Sequence, residues 1–264
     1  MPQVEFTIPG ESAAVTASGS GIGLQIAKSL AKSGVNIVIN DIDEAVLADA
    51  TSEFEDASGR VVPVAGDASD PEDMERLVDT AVREFGGLDV LVNNVGIAGP
   101  TKPAEEITYE EFLQTLEVNL GGHFNAIRAA IPYLRESDAG RIVSLSSMSG
   151  KRPLKDRIPY TTAKMGVIGL VRTLAVELAD EDITVNAICP GSVDGPRLER
   201  VIEGQAQSQE RPYEDVEQEF KDVSPMREFV QPTDVADAVL YLCSERASHV
   251  TGQDLNVSAG VCMY

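Results

Sequence analysis

The segment Tyr160-Thr161-Thr162-Ala163-Lys164 sets a phenol and an ammonium four residues apart. On a helix, positions i and i+4 share a face, so both groups point to one side. An unperturbed tyrosine titrates at about pH 10, too high for a base at neutral pH. A neighbouring cation favours the phenoxide, which makes the pair a candidate for moving a proton to or from an alcohol or ketone oxygen. Alone, Y-x-x-x-K is a weak signal, because most such pairs decorate surfaces. Ser147 lies thirteen residues before Tyr160 and follows an apolar run. Its hydroxyl is the candidate hydrogen-bond partner for the reacting oxygen, with Ser146 as its rival.

A second constellation opens the chain. Residues 13–16 read as a short strand, followed by Thr16-Ala17-Ser18-Gly19-Ser20-Gly21-Ile22-Gly23. A glycine-rich turn from strand to helix lets backbone approach a pyrophosphate, and the helix N-terminus stabilises its charge. The fingerprint G-x-G-x-x-G fails, since Leu24 takes the third glycine position. Asp41 ends the second strand, eighteen residues after Gly23. A carboxylate there accepts hydrogen bonds from ribose hydroxyls and repels a 2′-phosphate. No cation occurs in 18–20 or 40–44 to offset such a phosphate, so the pattern predicts NAD.

The elements that must position these residues alternate throughout. Strands are predicted at 13–16, 35–40, 61–65, 88–93, 141–146, 183–188 and 255–257. Helices are predicted at 21–33, 44–57, 71–85, 108–134 and 160–179, with a last one capped by Thr233 and running through 244. Residues 197–221 are polar and charged and read as an inserted helical lobe, at about 195–224 in all. Unbroken alternation of strand and helix predicts an α/β fold, a Rossmann-like doubly wound parallel sheet with helices on both faces, in a single domain over 1–264.

The Y-x-x-x-K pair, Ser147 before it, Asn119 in Val118-Asn119-Leu120, Asn93-Asn94-Val95-Gly96, Cys189-Pro190-Gly191 and the spacing Thr16…Gly21-x-Gly23 together resemble the short-chain dehydrogenase/reductase family over roughly residues 12–260. The resemblance implies hydride transfer between NAD and a secondary alcohol or ketone. It implies Tyr160 as acid/base, Lys164 on the nicotinamide ribose, Ser147 on the substrate oxygen and Asn119 holding a relay water. Cofactor contacts are implied for Ser18, Ser20, Gly21, Ile22 and Gly23, for Asp67 and Ala68 at the adenine, for Asn93 and Gly96, and for Pro190, Gly191 and Val193. It also implies a homo-oligomer, dimer or tetramer. Three positions depart from the family pattern: Ala17 stands for its first glycine, Val95 for an alanine, and Gly195 for a threonine.

Composition narrows the classes further. The formal charge of −22 repels phosphate backbones, which disfavours nucleic acid as a partner. The acid excess is spread along the chain and only seven cations are lysines, which favours a high-salt, halophilic cytoplasm. No apolar run reaches the roughly 18 residues of a membrane span, and no secretory signal opens the chain, so a cytoplasmic protein is expected. Three scattered cysteines and two unrelated histidines give no ligand spacing, and no metal is expected.

Lys151-Arg152-Pro153-Leu154-Lys155-Asp156-Arg157 places four of the 21 cations in seven residues, directly before Tyr160. A subunit contact or solvated loop is the plain explanation. The functional one is recognition of an anionic substrate such as a sugar acid or hydroxy acid by Arg152, Arg157 and Arg197, because guanidinium binds carboxylate bidentately. A 3-oxoacyl thioester and a neutral sugar stay open as substrates. So does a catalytically silent NAD-binding regulatory protein, although such loss usually removes the tyrosine, lysine or serine.

Overall fold

The computed structural model describes residues 6–264. Seven parallel strands form one sheet in the order β3-β2-β1-β4-β5-β6-β7. They are β1 (Ser12–Val15), β2 (Asn36–Asp41), β3 (Val61–Ala65), β4 (Val90–Asn93), β5 (Arg141–Leu145), β6 (Thr184–Pro190) and β7 (Asp254–Val257). The order reverses beside β1, so β1 and β4 diverge into helices on opposite faces. A crevice opens there at the carboxyl ends of the strands. The central strands β1, β4, β5 and β6 are buried along their whole length, which explains their nearly unbroken apolar runs.

Two cores sandwich the sheet. On one face α1 (Gly21–Lys32) and α9 (Pro232–Cys243) pack Ile26, Leu30, Val235 and Val239 against Val15, Ile37 and Ile39. The other face carries α3 (Pro71–Phe85), α5 (Gly122–Leu134) and α6 (Ile158–Glu177), whose Leu77, Ile127, Val167 and Val171 meet Val38, Leu91 and Ile142. Alternate residues of one strand thus serve opposite faces, as the two-residue period requires. The remaining helices are α2 (Glu44–Thr51), α4 (Tyr109–Leu116), α7 (Pro196–Gln209) and α8 (Tyr213–Asp222). The last two close a small core of their own around Ile202, Ala206 and Val216.

Four boundaries differ from the sequence reading. The helix expected over 108–134 is two: α4 and α5 are joined by a π-helical turn, Glu117–Gly121, that contains Asn119. The helix expected over 44–57 ends at Thr51 and tightens into a 3₁₀ turn, Ser52–Phe54. Helix α6 starts at Ile158 rather than Tyr160, because Pro159 suits a first turn whose N–H groups lack partners anyway. Gln231, not Thr233, caps α9, in a reciprocal bond pattern with Asp234.

Candidate active site

A cavity of about 460 Å³ opens at the carboxyl ends of the central strands. Ala17, Ser20, Gly21 and Ile22 line it from the turn after β1, Asp41 from the end of β2, and Asn94 and Gly96 from the loop after β4. Facing them are Ser146, Ser147 and Ser149 after β5, Tyr160 and Lys164 on α6, and Pro190, Gly191 and Val193 after β6. Arg157, Arg197 and Arg200 complete the rim. A parallel sheet directs every one of these loops to the same edge, so groups 150 residues apart in sequence meet there.

Lys164 is 3% exposed, and its Nζ donates to the Leu145 carbonyl at 2.8 Å. Burial pushes its pKa down to about 7, and the Arg197 guanidinium adds repulsion. Gly96 makes room for it: a Cβ there would lie 3.3 Å from both Lys164 Nζ and Asn119 Oδ1. Asn119 projects from the π-helical turn and pins the loop after β4. Its Oδ1 accepts from the Ile97 N–H at 2.6 Å and its Nδ2 donates to the Ile97 carbonyl at 2.9 Å. Such turns insert an extra residue into a helix and re-aim a side chain.

The two candidate serines separate by their partners. Ser146 Oγ donates to the Lys164 carbonyl at 2.8 Å, so that hydroxyl is spent on tying β5 to α6. Ser147 Oγ accepts from the Ser149 N–H at 3.1 Å, which leaves its own proton to donate. Gly150 keeps this turn against α6, since a Cβ there would come within 2.8 Å of the Lys164 carbonyl.

At the other end, Asp41 Oδ2 accepts from the Gly19 N–H at 3.3 Å and Oδ1 from the Asp43 N–H at 3.3 Å. Ser20 caps α1 without a side-chain bond, so the first N–H groups of that helix stay available to an anion. Gly23 has no substitute here: a Cβ would sit 2.3 Å from the Ala17 carbonyl oxygen. Ala17 itself adopts φ 48°, the left-handed region. Its carbonyl accepts from Asn94 Nδ2 at 2.8 Å, and its N–H donates to Asn40 Oδ1 at 3.4 Å. An L-residue in that region costs roughly 1–2 kcal/mol.

Several sequence-predicted residues are not among those that line this cavity. Ser18 is buried, its Oγ donating to the Val15 carbonyl and accepting from the Asn40 N–H, so it stitches β1 to β2. Asp67 caps its own turn through the Ser69 N–H at 2.8 Å. Ala68 packs in the core under α3 and α5, and Asn93 is buried with Nδ2 donating to the His123 carbonyl. Asn119 and Gly23 act through the loops they hold. His123 is fully buried, its pKa pushed down to about 3, first by that burial and then by Lys164. It stays neutral at every working pH.

The basic run before Tyr160 splits. Arg157 lines the cavity, whereas Arg152 is exposed and is not among the lining residues. Lys151 turns to the sheet edge, where Nζ donates to Asp254 Oδ1 at 3.1 Å and Asn256 Oδ1 at 3.1 Å. Arg197 and Arg200 line the same wall as Arg157, and none of the three is in an ion pair among the described residues. Arg211 is paired with Glu219 at 2.6 Å. Sequence reasoning missed Asn94, whose only signal was the doubled Asn93-Asn94, and Ser149, which had none.

The buried ammonium has a measurable consequence. Lys164 titrates at about 7 in the fold against 10.5 when exposed, so unfolding takes up a proton between those values. Its burial penalty is full below pH 7 and fades as pH rises toward 10.5. Lys164→Met keeps an unbranched apolar chain and removes the charge. Its Tm should exceed that of the wild type at pH 6, with the gap closing toward pH 10. A lower Tm at pH 6, or a gap independent of pH, would contradict this.

The chain matches a family model described as enoyl-(acyl carrier protein) reductase over residues 16–262. It is 35% identical to the D-beta-hydroxybutyrate dehydrogenase of Rhizobium meliloti over 255 residues, 95% of this chain and 98% of that one. Among solved structures it is similar to the L-sorbose reductase of Gluconobacter frateurii complexed with NADPH and L-sorbose. There the TM-score is 0.92 and identity 30%, covering 97% of this chain and 98% of that one. It is also similar to an NAD+-bound xylitol dehydrogenase, with TM-score 0.90 and identity 29%, covering 96% and 99%. By their names those two proteins act on a keto or hydroxyl group, one complexed with NADPH and the other with NAD+. The chain belongs to the short-chain dehydrogenase/reductase family of oxidoreductases acting on CH–OH groups.

Proposed function

We propose that this protein is an NAD-dependent dehydrogenase that interconverts a small anionic hydroxy compound, a hydroxy acid or sugar acid, and its ketone. The convergence of Ser147, Tyr160 and Lys164 on one cavity rimmed by arginines carries the reading. Nicotinamide supplies the hydride acceptor or donor. Asp41 takes the adenosine ribose, and the open N–H groups of α1 take the diphosphate. Pro190, Gly191 and Val193 frame the nicotinamide. Ser147 donates to the substrate oxygen, Tyr160 exchanges its proton, and Lys164 holds the nicotinamide ribose while its charge favours the phenoxide. Arg197, on the helical lobe and bonded to nothing among the described residues, is the anchor for the substrate's negative group, with Arg200 beside it. Arg152 has no part in it. The hydroxybutyrate dehydrogenase of Rhizobium meliloti is named for a hydroxy acid, while the sorbose reductase and xylitol dehydrogenase are named for a neutral sugar and a polyol, so the arginines and not the relatives carry this choice. The presence of all three reacting groups disfavours a silent binding protein.

Tyr160→Phe tests the mechanism, since it keeps the ring and removes only the hydroxyl. Turnover of a hydroxy-acid panel with NAD should fall by the ~10²–10⁴ of a lost acid/base group, with Tm and NAD binding nearly unmoved. A variant keeping more than a tenth of wild-type turnover, with chemistry rate-limiting, would discard it.

Cofactor choice rests on Asp41. kcat/KM should favour NAD over NADP at least tenfold, about 1.4 kcal/mol, and Asp41→Ala should narrow that ratio. Equal efficiencies in the wild type would refute the assignment.

The net charge of −22 suggests a protein adapted to salt. Tm should rise from low to molar potassium chloride as repulsion is screened, and a flat or falling Tm removes the halophilic reading. Exposed Tyr109, Leu113, Phe124 and Met165 on α4, α5 and α6 suit a homo-oligomer, to be read by sedimentation at both salt levels.

A further inference from the structure

Of the arginines at the cavity, Arg157 is held differently from Arg197. It caps α6 three residues before Tyr160, so both side chains leave the first turn on one side. The guanidinium carbon lies over the Tyr160 ring, 4.7 Å from its centroid. A cation so placed is attracted to the ring face by roughly 0.5–2 kcal/mol. Nη1 donates to Thr101 Oγ1 at 2.9 Å, and Nη2 donates to the Ala98 carbonyl at 3.0 Å. Nε is buried and without a partner among the described residues. The Lys102 N–H donates to the Asp156 carbonyl at 3.0 Å and ties the same two segments again.

Binding a carboxylate needs two adjacent N–H groups facing the ligand. Arg157 has committed one N–H of each terminal nitrogen to the loop after β4, which fixes the plane of the fork, and its Nε lies out of solvent. What its plane does face is the tyrosine ring. We propose that Arg157 is a positioning residue for Tyr160: it clamps the ring between helix α6 and the loop 97–102, and it does not grip the substrate. The loop it holds is also the one Asn119 pins at Ile97, so Arg157 and Asn119 anchor one common segment. A displaced ring loses turnover steeply, because proton transfer needs near hydrogen-bond contact.

The proposal rests on Tyr160 being the proton-transfer residue, and the experiment separates the two. Arg157→Lys, Arg157→Gln, Arg197→Gln and Tyr160→Phe are made in the full chain and assayed at saturating NAD on the best hydroxy acid found. A lysine keeps the charge but has neither the fork nor the flat face for stacking. Both Arg157 variants should therefore lose at least tenfold in kcat with KM within threefold of wild type, and lysine should not rescue. Arg197→Gln should show the opposite split, with KM raised and kcat nearly kept. Thr101→Val, an exposed change that removes only the Nη1 acceptor, should lower kcat in the same direction, and it serves if the Arg157 variants fold poorly. Wild-type kcat in Arg157→Lys, a loss confined to KM, or wild-type kcat in Thr101→Val overturns the positioning role. If Tyr160→Phe remains active, it is the underlying mechanism that fails instead.

Discussion

The site is organised around one buried ammonium. Lys164 has a single carbonyl as its hydrogen-bond partner and almost no water, a placement that costs several kcal/mol in an isolated charge. Its neighbours follow from that. A Cβ at position 96 would crowd the Nζ at 3.3 Å, and position 150 must lack one so that the serine turn can lie on the Lys164 carbonyl. Ser146 gives up its hydroxyl to the same carbonyl, which leaves Ser147 as the free one. The helix upstream takes an extra residue at 117–121 so that Asn119 reaches the loop instead of solvent. The cost falls in the cavity that Tyr160 also lines.

The two ends of the cavity carry opposite charge. Asp41 stands at the β2 end, and Arg157, Arg197 and Arg200 stand at the α6 and α7 end. In a chain of net charge −22, three arginines without carboxylate partners among the described residues meet at one rim. Other cations are paired with acids, Arg135 with Glu181, Arg128 with Glu75, and Arg172 and Lys151 with Asp254. An acidic surface also slows the approach of an anion, so a local cationic rim matters more here than it would in a neutral protein.

Much of this was legible in the residues. Two-residue and 3.6-residue periods located the sheet and its helices, because each strand and helix buries a definite face. Tyr160, Lys164, Ser147 and Asp41 were picked out by spacing within one element or at its end, and all four line the one cavity. Three features were not legible. A π-helical turn leaves the apolar pattern of 108–134 intact to within one residue, so nothing in it marks the break at Asn119. Which of four cations in 151–157 faces the cavity depends on Asp254 and Asn256, about a hundred residues away, which draw Lys151 to the sheet edge. The adenine-side roles of Asp67 and Ala68 rest on resemblance alone, since no local pattern marks them; in the fold Asp67 also caps its own turn through Oδ1.

Ala17 shows how tertiary bonds decide what a local rule leaves open. Its left-handed φ of 48° is a conformation for which glycine is the ordinary solution, and Gly21 at 55° uses it four residues on. The backbone does not relax because both of its polar groups are held: Asn94 takes the carbonyl and Asn40 the N–H. Asn94 also donates its own N–H to Thr16, and Asn40 bonds across to the Val64 and Gly66 carbonyls, so the clamp is anchored in β1, β2, β3 and β4 at once. Residues in or just after four strands therefore hold a conformation that costs roughly 1–2 kcal/mol. The same Ala17 carbonyl is the atom that bars any side chain at Gly23, which lets α1 start close against the turn. The cost at residue 17 and the close approach at residue 23 are two consequences of one fixed peptide.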